Sequence, residues 1–358
     1  MLTEYGLAGM SKSQSPAAAR IAIVGLSHDH VNWFFDRPER GDIDVIGVCE
    51  SNPALVQRYV QQRGLRPDLV YTDLGTMLDT AKPQAVMAFG AIFDHLAVVE
   101  ACAPRGVHVM VEKPLAVSLA HAQKIQALAQ QYGIHVLTNY ETSWYPSNHA
   151  VWQQVCQGRE LGDIRKMVVH DGHWGPKELG CSTEFLSWLT DPVLNGGGAL
   201  IDFGCYGANL MTWLMGNCKP LTVTAVTQQI KPDIYPKVDD EATIILTYPH
   251  AQGIIQASWN WPTHRKDMEV YGPLGYLHAV DRVTLRKRMG QRDIENTLTL
   301  PAATPPVDDV FAFLAAFLQG EAPVGHSELA SLHNNMIVVE ILEAARNSAR
   351  TGQTVHLQ

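Results

Sequence analysis

The sequence predicts an α/β domain built on a doubly wound parallel sheet, followed by an α+β domain with a large, mostly antiparallel open sheet. Between residues 20 and 140, short apolar runs alternate with segments of helical periodicity, which is the pattern of parallel strands joined by crossover helices. Beyond that point, strand-like runs follow one another, separated by turn signals at residues 249–253 and 272–275. We therefore expect a flexible extension over residues 1–19, the α/β domain over residues 20–140 and the α+β domain over residues 141–358.

The elements of the first domain are predicted in strict alternation. The predicted strands are Ile21–Val24, Val45–Cys49, Val70–Tyr71, Ala85–Ala88, Val107–Val111 and His135–Thr138, and the predicted helices are Pro53–Arg63, Leu74–Ala81, Asp94–Arg105 and Ser118–Tyr132. In the second domain we expect a helix near residues 148–157, a strand near residues 164–173 and a glycine-led helix that begins at Gly196. A closing helix is expected near residues 332–350, because Gly352 is a reasonable C-terminal cap.

Composition and charge narrow the class of protein. The chain has 358 residues and a formal net charge of −9, so it lacks the basic surface that a nucleic-acid backbone requires, and we expect no nucleic-acid partner. Six cysteines occur without a C-x-x-C pair, which argues against a zinc knuckle or a disulfide framework. The first 19 residues lack the apolar core of a signal peptide, and no segment approaches about 18 uninterrupted apolar residues. We therefore expect no membrane association and a cytoplasmic location.

The turn after the first strand occupies the frame of the dinucleotide-binding fingerprint G-x-G-x-x-G, with only its first glycine kept. Its residues are Gly25, Leu26, Ser27, His28, Asp29 and His30. Gly25 supplies the tight turn and Ser27 permits close approach to a pyrophosphate, whereas the bulky His30 must reposition the following helix or fill space beside the phosphates. An ordinary strand-to-helix loop is the alternative. Glu50 ends the second strand, where a carboxylate accepts both ribose hydroxyls, and no arginine precedes Arg58 to bind a 2′-phosphate. NAD is therefore favoured over NADP.

A second set of polar residues points to proton chemistry. Glu112 and Lys113 end an apolar run, which puts an ionisable amine where a parallel strand opens onto a cleft. Far downstream, Asp202, Tyr206 and Asn209 are spaced i, i+4, i+7 on the glycine-led helix, so they are expected to share one face. Such a triplet is costly to bury unless substrate hydroxyls partner it, and a solvent-facing stripe is the alternative. Tyr206 becomes a useful proton donor or acceptor if an ammonium stabilises its phenolate, and Lys113 is the expected ammonium.

These motifs together resemble the glucose-fructose oxidoreductase and inositol dehydrogenase family over nearly the whole chain from Arg20. The motifs are the glycine turn, Glu112-Lys113-Pro114, the run from Gly196 through Asp202 to Tyr206, Val238 to Ala242, and the terminal Ser348-Ala-Arg-Thr-Gly352. The resemblance implies a Rossmann domain in which Lys113 lies between nicotinamide and substrate. It also implies that Asp202 and Tyr206 hold the aspartate and histidine positions of the family's helix. The tyrosine and Asn209, which replaces a further aspartate, are departures from the family pattern.

The resemblance implies further cofactor contacts in the first domain. Phe89 and Gly90 stand where relatives carry a Thr-Pro type turn, and His95 matches the histidine that follows it. Glu112 and Lys113 are expected to contact the cofactor as well. The resemblance thus extends the expected cofactor site from the glycine turn to the ends of the fourth and fifth predicted strands.

Aromatic residues and histidines in the sequence raise two questions about ligands. Aromatic faces pack against the C–H faces of sugars, and we expect Trp144 and Trp174 to serve a sugar site, with a core position as the alternative for any single tryptophan. We expect no metal, because the His28/His30 and His170/His173 pairs lie on different elements. Alternation on a strand also turns the last two histidines to opposite faces.

The predicted function is hydride transfer between NAD and a secondary alcohol or hemiacetal carbon of a sugar, polyol or related cyclic compound. Lys113 and Tyr206 are expected to share the proton transfer, while Asp202 orients the substrate and the lysine. One alternative is glycoside cleavage or elimination through transient oxidation by NAD. A second alternative is a regulator that binds dinucleotide without turnover. The second domain is expected to form a homodimer or homotetramer through its sheet.

Overall fold

The computed structural model describes residues 17–322, 324–325 and 328–357. Its first sheet contains strands β1 Ala19–Val24, β2 Ile43–Cys49, β3 Val70–Tyr71, β4 Ala85–Ala88, β5 His108–Glu112 and β6 Val136–Asn139. The helices of this domain are α1 Asn32–Asp36, α2 Pro53–Arg63, α3 Leu74–Ala81, α4 His95–Cys102 and α5 Leu119–Tyr132. All neighbouring strands run parallel in the order β3-β2-β1-β4-β5-β6. The predicted doubly wound α/β domain is confirmed, and its strand order reverses between β1 and β4, where such sheets bind ligands.

Local capping sets the helix boundaries of this domain. The side chain of Asn52 accepts hydrogen bonds from the Ala54 and Leu55 amides, and Pro53 occupies the first turn of α2. Gly64 ends that helix in the left-handed conformation, with φ at 71°. Because such caps are readable from sequence, the predicted bounds of α2 and α3 agree with the structure.

The second domain forms a sheet of nine strands. Its strands are β7 Lys166–Gly172, β8 Thr222–Gln228, β9 Glu241–Thr247, β10 Gln252–Ser258, β11 Arg265–Gly272, β12 Gly275–Ala279, β13 Thr284–Met289, β14 Asn296–Thr299 and β15 Val355–His356. Its helices are α6 Pro146–Trp152, α7 Pro176–Leu179, α8 Thr183–Leu189, α9 Ala199–Asp202, α10 Gly204–Leu214, α11 Val310–Leu318 and α12 Leu332–Thr351. The order is β14-β13-β12-β11-β7-β10-β9-β8-β15, in which only β7 and β10 pair in parallel. This confirms the mostly antiparallel sheet.

The glycine-led helix predicted from Gly196 differs from the structure, because two helices, α9 and α10, meet at Phe203. The Asp239 carboxylate accepts hydrogen bonds from the Gly198 and Leu200 amides and fixes the start of α9. A Cβ on Gly198 would lie 1.8 Å from the Asp239 carbonyl oxygen, so only glycine fits there. Asp202 therefore ends α9, whereas Tyr206 and Asn209 belong to α10, so the three residues do not share one continuous helix.

Two late helices pack against the first domain. Phe311 and Leu314 of α11 belong to the same apolar cluster as Ile21 of β1. Val339 of α12 packs in the cluster on the other side of that sheet. The predicted division at residue 140 therefore separates the sheets, although helices from the last part of the chain complete the core of the first domain. Residues 1–16 of the predicted extension lie outside the described residues, and β1 begins at Ala19.

Candidate active site

A cavity of about 560 Å³ lies at the carboxyl end of β5, between the two sheets. Its walls include Lys113, Asp202 and Tyr206, three of the residues that the sequence analysis selected. The first follows β5, and the other two come from α9 and α10. The fold thus brings Lys113 together with two residues that are 89 or more positions further along the chain.

A buried ion pair lies in the wall of this cavity. The Lys113 ammonium donates a hydrogen bond to the Asp202 carboxylate and a second one, 3.0 Å long, to the Asp202 carbonyl oxygen. The indole of Trp259 donates to the other carboxylate oxygen at 2.9 Å. Burial lowers the pKa of the Lys113 amine and the Asp202 carboxylate raises it, with a net shift above the usual value. Burial raises and Lys113 lowers the pKa of Asp202, with a net shift below the usual value. Both groups therefore stay ionised at neutral pH.

Tyr206 lies beside this pair but is not prepared to ionise. The Lys113 nitrogen is 5.2 Å from the centre of its ring, over the ring face. Burial, followed by the Glu141 carboxylate, raises the pKa of the Tyr206 phenol well above its usual value. The expected stabilisation of a phenolate by Lys113 is therefore not supported. The phenol remains protonated and can offer a hydrogen bond to a substrate oxygen.

The cavity holds a second ion pair that the sequence analysis missed. Lys266 of β11 contacts Glu141, and its nitrogen lies 4.8 Å from the centre of the Tyr206 ring. Burial raises the pKa of the Glu141 carboxyl, while Lys266 and Tyr145 lower it, to about 2 overall. Glu141 could have been found in the sequence, since it follows β6 at the same edge of the sheet as Lys113. No comparable signal marks Lys266, which reaches the cavity through the pairing of distant strands.

A separate groove of about 550 Å³ runs along the carboxyl ends of β1, β2 and β4. Gly25, Ser27, Glu50, Gly90 and His95 line it. Gly25 has φ at +82°, and a Cβ there would lie 2.8 Å from the Gly90 amide nitrogen, so the two glycines keep the backbone accessible. The Glu50 carboxylate accepts a hydrogen bond of 2.9 Å from the Leu26 amide, in the turn after β1. It accepts a second hydrogen bond, of 2.8 Å, from the Asn52 amide in the loop after β2. The shape of the groove and the Glu50 carboxylate at its edge fit a dinucleotide.

Leu26 and Phe89 fill the core beneath the groove. The side chains of both residues are buried, so only their backbone atoms can contribute to a cofactor site. The Phe89 amide donates to the Val24 carbonyl at 2.7 Å, and its own carbonyl accepts from the His28 amide at 2.9 Å. These bonds tie the turn after β1 to the turn after β4. Asp29 and His30 line the neighbouring cavity instead of this groove, and the Asp29 carboxylate accepts from the Ser182 amide at 2.9 Å.

Two groups of side chains are close enough to coordinate a metal ion among the described residues: His28 with His30 and Glu112, and His170 with Asp267 and Glu269. In the first group, Nδ1 of His28 accepts a hydrogen bond from the His30 amide at 3.1 Å, so the hydrogen of the neutral His28 ring is on Nε2. The Nε2 atom of His28 therefore offers no lone pair to a cation. In the second, Arg265 donates two hydrogen bonds to Asp267. Neither donor set favours a cation.

Three selected residues lie away from the cavity. The side-chain amide of Asn209 donates to the Leu329 carbonyl at 2.9 Å and lies beside Asn335, on the side of α10 that packs against α12. Trp144 is buried, and its indole donates to Asn139 at 3.0 Å. Trp174 packs its ring against the cavity residue His264, 4.7 Å between ring centres, without lining the cavity itself. The structure therefore gives none of the three a direct place in the proposed substrate site.

Comparison with known families and structures agrees with this geometry. Residues 19–140 match the model of an oxidoreductase family with an NAD-binding Rossmann fold, and residues 149–278 match the model of the GFO/IDH/MocA C-terminal domain. The chain belongs to the GFO/IDH/MocA oxidoreductase family. As a member of that family it is an enzyme, and its first domain is an NAD-binding domain.

Similar proteins include dehydrogenases of small polyhydroxylated or cyclic diol compounds. The chain is 24% identical to D-apiose dehydrogenase of Paraburkholderia graminis over 336 residues, which are 88% of this chain and 84% of that relative. It is 30% identical to trans-1,2-dihydrobenzene-1,2-diol dehydrogenase of Bos taurus over 155 residues, 43% of this chain and only 42% of the relative. An inositol dehydrogenase homolog of Azotobacter vinelandii, crystallised with NAD+, superposes with a TM-score of 0.80 at 20% identity and covers 95% of this chain and 97% of that one. The last similarity concerns the fold.

Proposed function

We propose that this enzyme transfers hydride between NAD and a secondary alcohol or hemiacetal carbon of a sugar, polyol or related cyclic compound. The observation that carries the proposal is the position of Lys113. It stands at the end of β5, in the wall of a polar cavity that adjoins the dinucleotide groove, and the Asp202 carboxylate holds it in its charged form. A fixed ammonium in a buried site stabilises negative charge that develops on a substrate oxygen.

The other site residues have roles that follow from their contacts. Gly25, Ser27, Glu50, Gly90 and His95 would hold the dinucleotide along the groove. A bound nicotinamide supplies the acceptor for hydride. The substrate hydroxyls would take hydrogen bonds from the protonated phenol of the tyrosine and from the lysine in the cavity wall. The two ion pairs of the cavity offer carboxylate acceptors and ammonium donors of the kind that a polyhydroxylated ligand requires.

The relatives define the compounds to test. Because they are named for D-apiose, trans-1,2-dihydrobenzene-1,2-diol and inositol, a panel should hold these three together with common aldoses. We expect NAD to raise the melting temperature of the purified protein, and one class in the panel to give NADH at 340 nm. A protein that neither NAD nor NADP stabilises at millimolar concentration would contradict the proposal.

The described residues contain no helix that could cross a membrane. We also propose that a second copy of the chain covers the outer face of the large sheet. Val168, Ile254 and Ile245 form a continuous apolar row on that face, because they pair directly across β7, β10 and β9. All three remain partly exposed, whereas their sequence neighbours on the other face are buried. In a two-fold homodimer the same patch lies on both subunits, so this apolar row would pack against its own copy.

A further inference from the structure

His30 occupies the last position of the glycine fingerprint, and the structure shows why a histidine stands there. The residue lies in a single turn of 3-10 helix, Asp29–Val31, and α1 after it has only five residues, so a full pyrophosphate-binding helix does not follow β1. Its imidazole faces the cavity that contains Lys113 and Asp202. The ring of Trp33 stacks on it with centres 3.9 Å apart and an angle of 18° between the planes. The imidazole is therefore held in one orientation inside the proposed active site.

A chain of hydrogen bonds fixes which nitrogen of this imidazole carries the hydrogen. The Trp144 indole can only donate, and it donates to Oδ1 of Asn139 at 3.0 Å. The Asn139 amide nitrogen therefore faces Glu112 and donates to its Oε1 at 2.7 Å. The other oxygen of Glu112 lies 3.0 Å from Nδ1 of His30. Since a carboxylate can only accept, Nδ1 bears the hydrogen and Nε2 of His30 carries a free lone pair.

We propose that His30 is the proton acceptor for alcohol oxidation, with Glu112 as the carboxylate that orients it. Among the described residues, nothing forms a hydrogen bond with the free Nε2, and its ring borders the cavity. A carboxylate, an imidazole and a facing substrate hydroxyl form the arrangement in which histidine acts as a general base. This inference rests on the proposed function.

The other groups in the cavity favour this assignment. Lys113 is paired with Asp202 and stays protonated, so it can donate a hydrogen bond but cannot take a proton. The Tyr206 phenol is also protonated, since burial raises its pKa. Imidazole is the side chain whose ordinary titration falls between about pH 5 and 8. The neighbouring His28 is buried, and burial keeps its pKa well below the usual value, so the positive charge of a protonated His30 is not opposed by a second imidazolium.

The reaction balances with these groups. The O–H bond of the substrate carbinol breaks, and its proton goes to Nε2 of His30. The adjacent C–H bond breaks, and its hydride leaves with the electron pair for an oxidised nicotinamide. The electrons of the O–H bond form the C=O bond, whose oxygen takes a hydrogen bond from Lys113. Glu112 stabilises the imidazolium until the proton passes to water.

The first test reads the tautomer and needs no substrate. In protein labelled with 15N-histidine, long-range proton–nitrogen spectra should show His30 with its hydrogen on Nδ1. In Glu112→Gln, the amide oxygen of the new glutamine still accepts from the Asn139 amide. Its NH2 group then faces His30 and donates to Nδ1, so the ring hydrogen of His30 should move to Nε2. His30 with its hydrogen on Nε2 in the wild type, or an unchanged tautomer in the variant, would overturn the proposal even if the panel yields no substrate.

The second test separates a proton acceptor from a phosphate contact. His30→Asn keeps a donor for Glu112 but lacks Nε2, so kcat for the best compound of the panel should fall by about 10² to 10⁴, with the Kd for NAD changed by no more than several-fold. The pH profile of kcat should change shape, while the titratable groups around the ring, His28, Asp29, Glu112, Lys113 and Glu141, remain in place.

Two controls complete this comparison. His149→Asn removes a partly buried imidazole outside the cavity, one whose Nε2 bonds to a backbone carbonyl, and should leave kcat unchanged. Glu112→Gln combined with His30→Asn should lose no more than the larger single effect, because the two residues act as one unit. A normal kcat in His30→Asn with weaker NAD binding would show that the histidine contacts phosphate and would overturn the proposal. Wild-type protein without NAD-dependent oxidation would instead reject the proposed function.

Discussion

Lys113 and Asp202 depend on each other for their charge, and this sets what each can do. A lysine that keeps its proton is an electrostatic group, which polarises a substrate oxygen without exchanging a proton. The Asp202 carboxylate accepts from both the lysine and Trp259, which fixes its position, and its remaining lone pairs can still accept from a substrate hydroxyl. At the residue scale, Lys113 and Asp202 therefore supply fixed charges, while a different residue, His30 in our proposal, accepts the proton.

Replacement of Lys113 by Met should reveal both roles of the pair. Lys113→Met leaves the buried Asp202 carboxylate without its cation and should lower the free energy of unfolding by about 3 to 5 kcal/mol. The double variant with Asp202→Asn removes that unpaired charge, so stability in urea should recover. Turnover should stay about 10² to 10⁴ below wild type in both. Recovery of turnover in the double variant would show that the lysine is structural.

The hydroxyl of Tyr206 should contribute to substrate binding. Because burial keeps the phenol protonated, Tyr206→Phe removes one hydrogen bond of about 0.5 to 1.5 kcal/mol. The Michaelis constant should rise roughly 2- to 12-fold with kcat near normal. Steady-state kinetics on the best compound of the panel measures this. A fall in kcat by two orders of magnitude would instead show that Tyr206 takes part in the proton transfer.

The charge of Glu50 should set the preference for NAD over NADP. Glu50→Gln keeps an acceptor for the turn after β1 and removes the negative charge that repels a 2′-phosphate. Titration calorimetry should show a smaller ratio of the Kd for NADP to the Kd for NAD than in wild type. Asp79→Asn, the same change of charge outside the groove, should leave that ratio alone. A wild-type protein that binds NADP more tightly would contradict the assignment of Glu50.

At the scale of elements, the parts that could be predicted are those with local causes. Caps and alternating periodicity identified the six strands of the first sheet and the four helices predicted between them. The start of α9 could not be predicted, since the Asp239 carboxylate that caps it lies on a distant segment. The spacing also placed Asn209 at the cavity, whereas in the structure its side chain donates to Leu329 and Asn335, more than 100 residues further along the chain.

The start of α9 offers a test of this tertiary cause. Gly198→Ala would place a methyl group against the Asp239 carbonyl, from which a Cβ would stand only 1.8 Å, so the backbone must move and the hydrogen bonds to that carboxylate must weaken. We expect a loss of about 2 kcal/mol or more in unfolding free energy. Gly75→Ala in α3 is the matched control, because its Cβ meets only ordinary contacts and alanine favours the helix. Equal stability of the two variants would contradict the tight fit at Gly198.

At the scale of the whole molecule, the two sheets divide the work. The parallel sheet presents its strand ends to the dinucleotide, and the inner face of the large sheet supports α9 and α10, which carry Asp202 and Tyr206. The outer face of the large sheet takes no part in either site. Its use in assembly would therefore leave both sites open, and would place their entrances at a fixed distance from each other in a dimer.

The apolar row on that outer face is the place to test assembly. Ile254 lies at its centre, between Val168 and Ile245, so Ile254→Glu would put one buried charge from each copy near the middle of a two-fold interface. We expect light scattering to show a dimer or tetramer for wild type and a monomer for Ile254→Glu, with NAD binding retained because the groove belongs to the first domain. Thr297→Glu adds the same charge on the exposed edge strand β14 and should not change the mass. A monomeric wild type, or a variant that keeps the wild-type mass, would show that the second copy does not bind at this face.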